Sequence, residues 1–90
     1  MAGMIGLDVE QVNALGDKLN HGAQEIKELV QKLNAALNGV QWKGTDGDKF
    51  RDEWHHQHVT QLNKVADALQ HAGQTAKKNA QNQQQTSSAL

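Results

Sequence analysis

Ninety residues fit one small domain, and nine Lys plus Arg against ten Asp plus Glu leave a formal net charge of −1, without the basic excess that phosphate binding requires, so nucleic acid is not an expected partner. The chain has no cysteine, which removes a disulfide framework, a thiol nucleophile and a zinc ribbon. A mean hydropathy of −0.75, with no apolar run near twenty residues, argues against stable membrane insertion, and Met1 to Gly6 offers neither the basic nor the apolar region of a cleavable signal peptide.

Residues 1–7 read as a flexible lead-in. A first helix is expected over 8–41, started by Asp8 with Gln11 three residues on as a capping partner. Its apolar residues alternate steps of three and four: Val12, Leu15, Leu19, Gly22, Ile26, Leu29, Leu33, Ala36 and Val40. Ala23, Val30 and Leu37 lie beside that ladder and widen it to the face of a packed bundle helix. At 1.5 Å per residue, some 32 residues of such a helix span about 48 Å.

Glycines at 39, 44 and 47, among Asn38, Thr45 and Asp46, break the pattern, and the turn is placed at 42–45. Gly44 suits a left-handed helix end, Thr45 suits a cap for the next helix, and Asp46 and Asp48 suit its positive dipole end. The second helix is expected over 46–80. Phe50, Trp54, His58 and Leu62 step by four, then Leu62, Val65, Leu69, Ala72 and Ala76 by three and four. Residues 81–90 are rich in Gln, Asn, Ser and Thr and read as a disordered tail. No internal repeat stands out beyond the heptad.

Gln41-Trp42-Lys43-Gly44 sets a Trp-x-Gly at the turn between two amphipathic helices, midway along a chain of about this length. Phe50 and Trp54 follow near the start of the second helix. In these features the chain resembles the WXG100 (ESAT-6-like) family of type VII secretion substrates of Gram-positive and mycolate-bearing bacteria, over roughly residues 7 to 80. The resemblance implies a secreted or cell-surface protein exported without a cleavable signal peptide. It also implies a secretion ATPase as partner, with Trp42 and Gly44 as the turn motif. A Tyr-x-x-x-Asp/Glu export signal, common in that family, is missing: the chain has no tyrosine, and no Asp or Glu after Asp67. Within the family this points to a partner that supplies the signal, or to recognition through the turn.

Each singled-out residue also has a plainer reading. Trp42 serves recognition at an exposed tip, or packs over the loop with its N–H on a backbone carbonyl. Gly44 is first a conformational residue. His55 and His58 share a helical face, but no second pair completes a zinc site, so the cluster Trp54-His55-His56-Gln57-His58 reads as solvated or interfacial. No phosphate loop, nucleophile elbow or paired carboxylates are present, so neither catalytic residues, metal nor cofactor are expected.

The expected fold is therefore all-α, an antiparallel helix–turn–helix hairpin that dimerises into a four-helix bundle, because one hairpin leaves too much apolar stripe uncovered. The hairpin core or dimer interface is assigned to Val12, Leu15, Leu19, Ile26, Leu29, Val30, Leu33, Leu37, Val40, Phe50, Trp54, Leu62, Val65 and Leu69. The partner is a second copy or a related hairpin. A competing class, from periodicity alone, is an intracellular coiled-coil adaptor or chaperone for another helical protein.

Overall fold

The computed structural model describes residues 7–89, with side chains placed through residue 85. Of the expected lead-in, only Leu7 falls within that range. Helix α1 runs Val9–Asn38, α2 runs Thr45–Glu53, a π-helical turn spans Trp54–His58, and α3 continues from Val59 to Ala89. The described residues are helical apart from the lead-in, the turn and the caps. The second arm folds back along the first, giving a rod of 68 × 17 × 16 Å.

Local chemistry accounts for the helix ends. Asp8 stands extended before α1, and its carboxylate accepts from the Gln11 N–H at 3.1 Å, satisfying one of the donors that a helix start leaves free. Gly39 closes α1 with right-handed backbone (φ −84°), its N–H 3.1 Å from the Ala35 carbonyl. The turn thus comprises 39–44, three residues earlier than expected at its start. Gly44 has the left-handed φ of +107°, but it opens the second arm rather than ending the first. Thr45 is already the first residue of α2, and Gly44 is the cap, with no side-chain hydrogen bond. The α3 helix also continues through the stretch read as a disordered tail from residue 81. With no proline or glycine after Gly73, and Ala and Gln that tolerate helix well, nothing local stops it.

The seam between α1 and α3 runs along the small residues. Gly16, Ala23 and Val30 are buried on α1, and Ala66, Gly73 and Ala80 on α3, each series in steps of seven. Val30 is the largest of the buried hydrophobic residues. Two backbones approach closely only where side chains are short. A methyl built on Gly16 would lie 2.9 Å from the Gly73 carbonyl, and one on Gly73 would lie 2.8 Å from the Gly16 carbonyl. Asn20 Oδ1 is tucked against Gly73, buried and without a hydrogen-bond partner. Ion pairs flank the seam on the surface: Lys77 to Asp17 at 2.5 Å and Lys27 to Asp67 at 3.9 Å.

The ladder expected to form the core divides. Val30 is buried, while Val12, Leu19, Ile26, Leu37, Trp54, Leu62 and Leu69 are half-buried along the seam's edges. Leu15, Leu29, Leu33, Val40, Phe50 and Val65 face solvent, with Leu29 at 49% and Leu15 at 50% exposure. Within one hairpin the larger side chains are thus displaced outward by the close helix contact. The π-helical turn changes the register as well. The Val59 N–H donates to the Trp54 carbonyl, five residues back, so one extra residue is accommodated in that turn. His58, placed on the stripe by steps of four, is exposed instead, and Val59 takes the inward position.

Candidate functional site

The hairpin tip is where a charged fork, two aromatic rings and a glycine contact converge. Trp42 and Phe50 pack with ring centroids 5.1 Å apart and planes tilted by 39°, the offset geometry that aromatic quadrupoles favour. Both rings stay open on one side, at 39% and 43% exposure, beside Val40 at 53%. Beneath Trp42 lies Gly47, buried in α2, where a Cβ would run into the Trp42 carbonyl and indole. Glycine at 47 therefore sets how closely the Trp42 loop lies on α2. Gly44 has nothing within 4 Å of a built Cβ, so its requirement is the backbone conformation alone.

Arg51 ties the loop down. Its Nη1 donates to the Trp42 carbonyl at 2.8 Å and its Nη2 to the Val40 carbonyl at 3.4 Å. Asp48 lies 3.8 Å from the same guanidinium. Arg51 is the chain's one arginine against eight lysines, and its rigid planar fork holds two donors at a fixed spread, here one to each carbonyl. Sequence reasoning passed over it; that isolated arginine, next to a glycine-rich turn, was the available signal. In the Trp42 loop it is the backbone carbonyl that accepts the hydrogen bond from Arg51.

One turn further along, the half-buried Trp54 donates its indole N–H to Asn34 Oδ1 at 2.6 Å, a cross-hairpin bond that orients the start of the π-helical turn. His58 lies 6.2 Å from Trp54, ring centroid to ring centroid. The His56 Nδ1 is 2.9 Å from the Asp52 carbonyl, and His55, His56 and His58 are all exposed. Among the described residues, no group of three or more His, Cys, Asp or Glu side chains is placed to hold a metal ion. No helix of the described residues is long and apolar enough to cross a membrane.

A second feature is the outer apolar face. Gly22, Ile26, Leu29 and Leu69 line an open groove of about 540 Å³, rimmed by Glu25, Glu28 and Lys32. It flanks the seam along one edge, where Ile26 and Leu69 of the two arms meet the exposed Leu29, and it is a shallow trough between helices rather than an enclosed chamber. Apolar flanks with a charged rim suit a helix laid alongside. Compared with protein-family models, curated proteins and solved structures, the chain matches none of them.

Proposed function

We propose that this chain is a small non-enzymatic protein exported by a type VII (ESX-like) secretion system, as a substrate or as the partner of one. It pairs with a second helical hairpin, identical or related, into a four-helix bundle, and presents Trp42 and Gly44 to the secretion ATPase. It works at the cell surface or outside the cell, without cofactor. The observation that carries this reading is the Trp42-Lys43-Gly44 turn at the tip of a two-helix hairpin, with the Trp42 ring half open and its loop held by Arg51.

The apolar outer face supports the pairing. The surface of 6745 Å² compares with about 5,200 Å² for a compact monomer of this mass. The difference, about 1,500 Å² on one chain, is roughly twice the ~800 Å² that each partner contributes to a standard interface. Export is tested by following the protein in culture filtrate with the secretion ATPase intact and with it deleted. Accumulation outside the cell that is unchanged by the deletion, or retention inside in both strains, overturns the proposal. In the same assay Trp42→Ala should leave the hairpin folded, at a cost of roughly 1–2 kcal/mol rather than the 3–5 typical of a fully buried aromatic, while the exported fraction falls sharply.

A further inference from the structure

The two arms of the hairpin share a sequence. Val9, Gln11, Asn13, Asp17, Leu19, His21, Gln24, Lys27 and Gln31 all recur fifty positions later, as Val59, Gln61, Asn63, Asp67, Leu69, His71, Gln74, Lys77 and Gln81. Heptad packing does not account for this, because Gln11, Asn13, His21, Gln24 and Gln31 and their counterparts are all exposed. The structure carries the same relation. Shifting both ends of the pair Asp17–Lys77 by fifty, in opposite directions, gives Asp67–Lys27, and both pairs are present. The buried positions 16, 23 and 30 map onto 66, 73 and 80. The seam is therefore a segment packed antiparallel against its own copy, related by an approximate two-fold axis. The expectation of no repeat beyond the heptad is corrected on these grounds.

We infer that the seam takes a second copy of this chain as its partner: the hairpin opens at the turn over residues 39–44 and exchanges helices, giving an antiparallel dimer that repeats the same contacts between chains. Three features support the exchange. A self-complementary segment fits any copy of itself in the same register, as a two-fold interface requires. The closed seam is small, since none of the large side chains is fully buried in it. The closed turn also holds Gly44 at φ +107°, a conformation that opening releases. A short connection keeps the helices at an effective concentration on the order of millimolar, so the closed hairpin dominates in dilute solution and the exchanged form at high chain concentration. This association uses the seam, not the outer face, and stands independently of the proposed secretion role.

The test uses the full chain, which has no cysteine of its own. Ala23→Cys with Ala66→Cys places thiols at the two positions that the fifty-residue shift equates with the touching Gly73 and Gly16. The protein is refolded at about 10 μM, far below that effective concentration, and at about 1 mM, comparable with it, then oxidised and run on a non-reducing gel. Within-chain disulfides at low concentration and between-chain disulfides at high concentration are expected. Adding Gly44→Ala should raise the between-chain share severalfold at both concentrations. Only within-chain disulfides throughout, with Gly44→Ala included, overturn the inference; pairing through the outer face alone gives that same result.

A second arm avoids cysteine. Asp17→Lys with Lys77→Asp restores the pair within one chain but sets like charges together when it exchanges with wild type. After co-refolding at about 1 mM in low salt, mixed dimers counted by native mass should fall below the statistical share, modestly because the pairs are exposed, and return toward it as salt is added. Mixed dimers at the statistical share in low salt overturn the inference.

Discussion

Three glycines in this chain do different physical work, and substitution separates them. Gly44 sits at φ +107° and ψ 178° with open space around it, a region essentially restricted to glycine. Gly44→Ala should lower stability by about 1–3 kcal/mol through backbone strain alone. Gly47 has ordinary helical backbone, but its Cβ would strike the Trp42 carbonyl. Gly47→Ala should cost a similar 1–3 kcal/mol by overpacking, and it should shift the Trp42 fluorescence even in dilute solution as the loop lifts. Gly22 lies mid-helix with only Leu69 Cδ1 nearby, at 3.7 Å. Gly22→Ala should stabilise the hairpin by roughly 0.5–1 kcal/mol, the helix-propensity gain. Thermal melts of the three variants check the order; a destabilised Gly22→Ala would contradict the packing described for that face.

Asp17 is the residue whose charge carries a pH signature. Its hydrogen bond to Lys77, then the Lys77 charge and more weakly that of His21, lower its pKa from the ordinary 3.8, against a small opposing effect of desolvation. A carboxyl that ionises more easily folded than unfolded stabilises the fold above its unfolded pKa. That contribution is lost as pH falls through the folded value. The loss therefore begins near pH 3.8 and continues below it. Because the pair is exposed, the effect is small and weakens with salt. Asp17→Asn should melt at nearly the wild-type temperature below pH 3 and slightly under it at pH 6. The opposite order would place the Lys77 contact outside the folded state in solution.

At the scale of elements, the π-helical turn reconciles two stretches of incompatible phase. Gly47 and Trp54 point toward the first arm on one side of it, and Val59, Leu62 and Ala66 on the other. A continuous α-helix would bring His58 inward, where an imidazole needs a partner. The extra residue avoids that by turning His58 out. Deleting His58 should therefore convert the turn into ordinary α-helix and carry Val59 into phase, with helicity kept and the melting temperature within a few degrees of wild type. Deleting Asp67, inside α3, offers no such escape: it rotates Gly73 and Ala80 out of the seam and should unfold the hairpin. Circular dichroism of the two deletions distinguishes them, and equal damage from both would remove the accommodating role of the π turn.

For the whole molecule, the decisive fact is that it presents two unlike apolar faces. The seam joins small residues, while the outer face exposes Leu15, Leu29, Leu33 and Val65. Leu29→Glu, placed on the exposed face, should abolish the proposed pairing through that face while leaving a helical hairpin, since Leu29 is half exposed there already. Ala66→Leu, at a position 0% exposed, should instead force the arms apart and cost about 1–3 kcal/mol of hairpin stability. Sedimentation and circular dichroism together give the answer. Loss of helicity in Leu29→Glu would mean that the hairpin does not fold without its partner.

Secondary structure was legible in the amino-acid order because it depends on neighbours three and four residues away. The Asp8 cap, the heptad periods of both arms and the glycine-marked turn are all local signals, and α1 and the turn lie within a few residues of where those signals place them. The face used for closure was not legible. Hydrophobicity ranks Leu15, Leu29 and Leu33 above Gly16 and Ala23, yet helices come closest where side chains are shortest, so the smaller stripe closed the hairpin and the leucines stayed outside. The Arg51 clamp, the Trp54–Asn34 bond and the crossed pairs Asp17–Lys77 and Lys27–Asp67 join residues between nine and sixty positions apart. Such contacts exist only once two arms share a register, and that register is set by the closest approach of Gly16 and Gly73, a property of the packed backbones that no single stretch of sequence expresses.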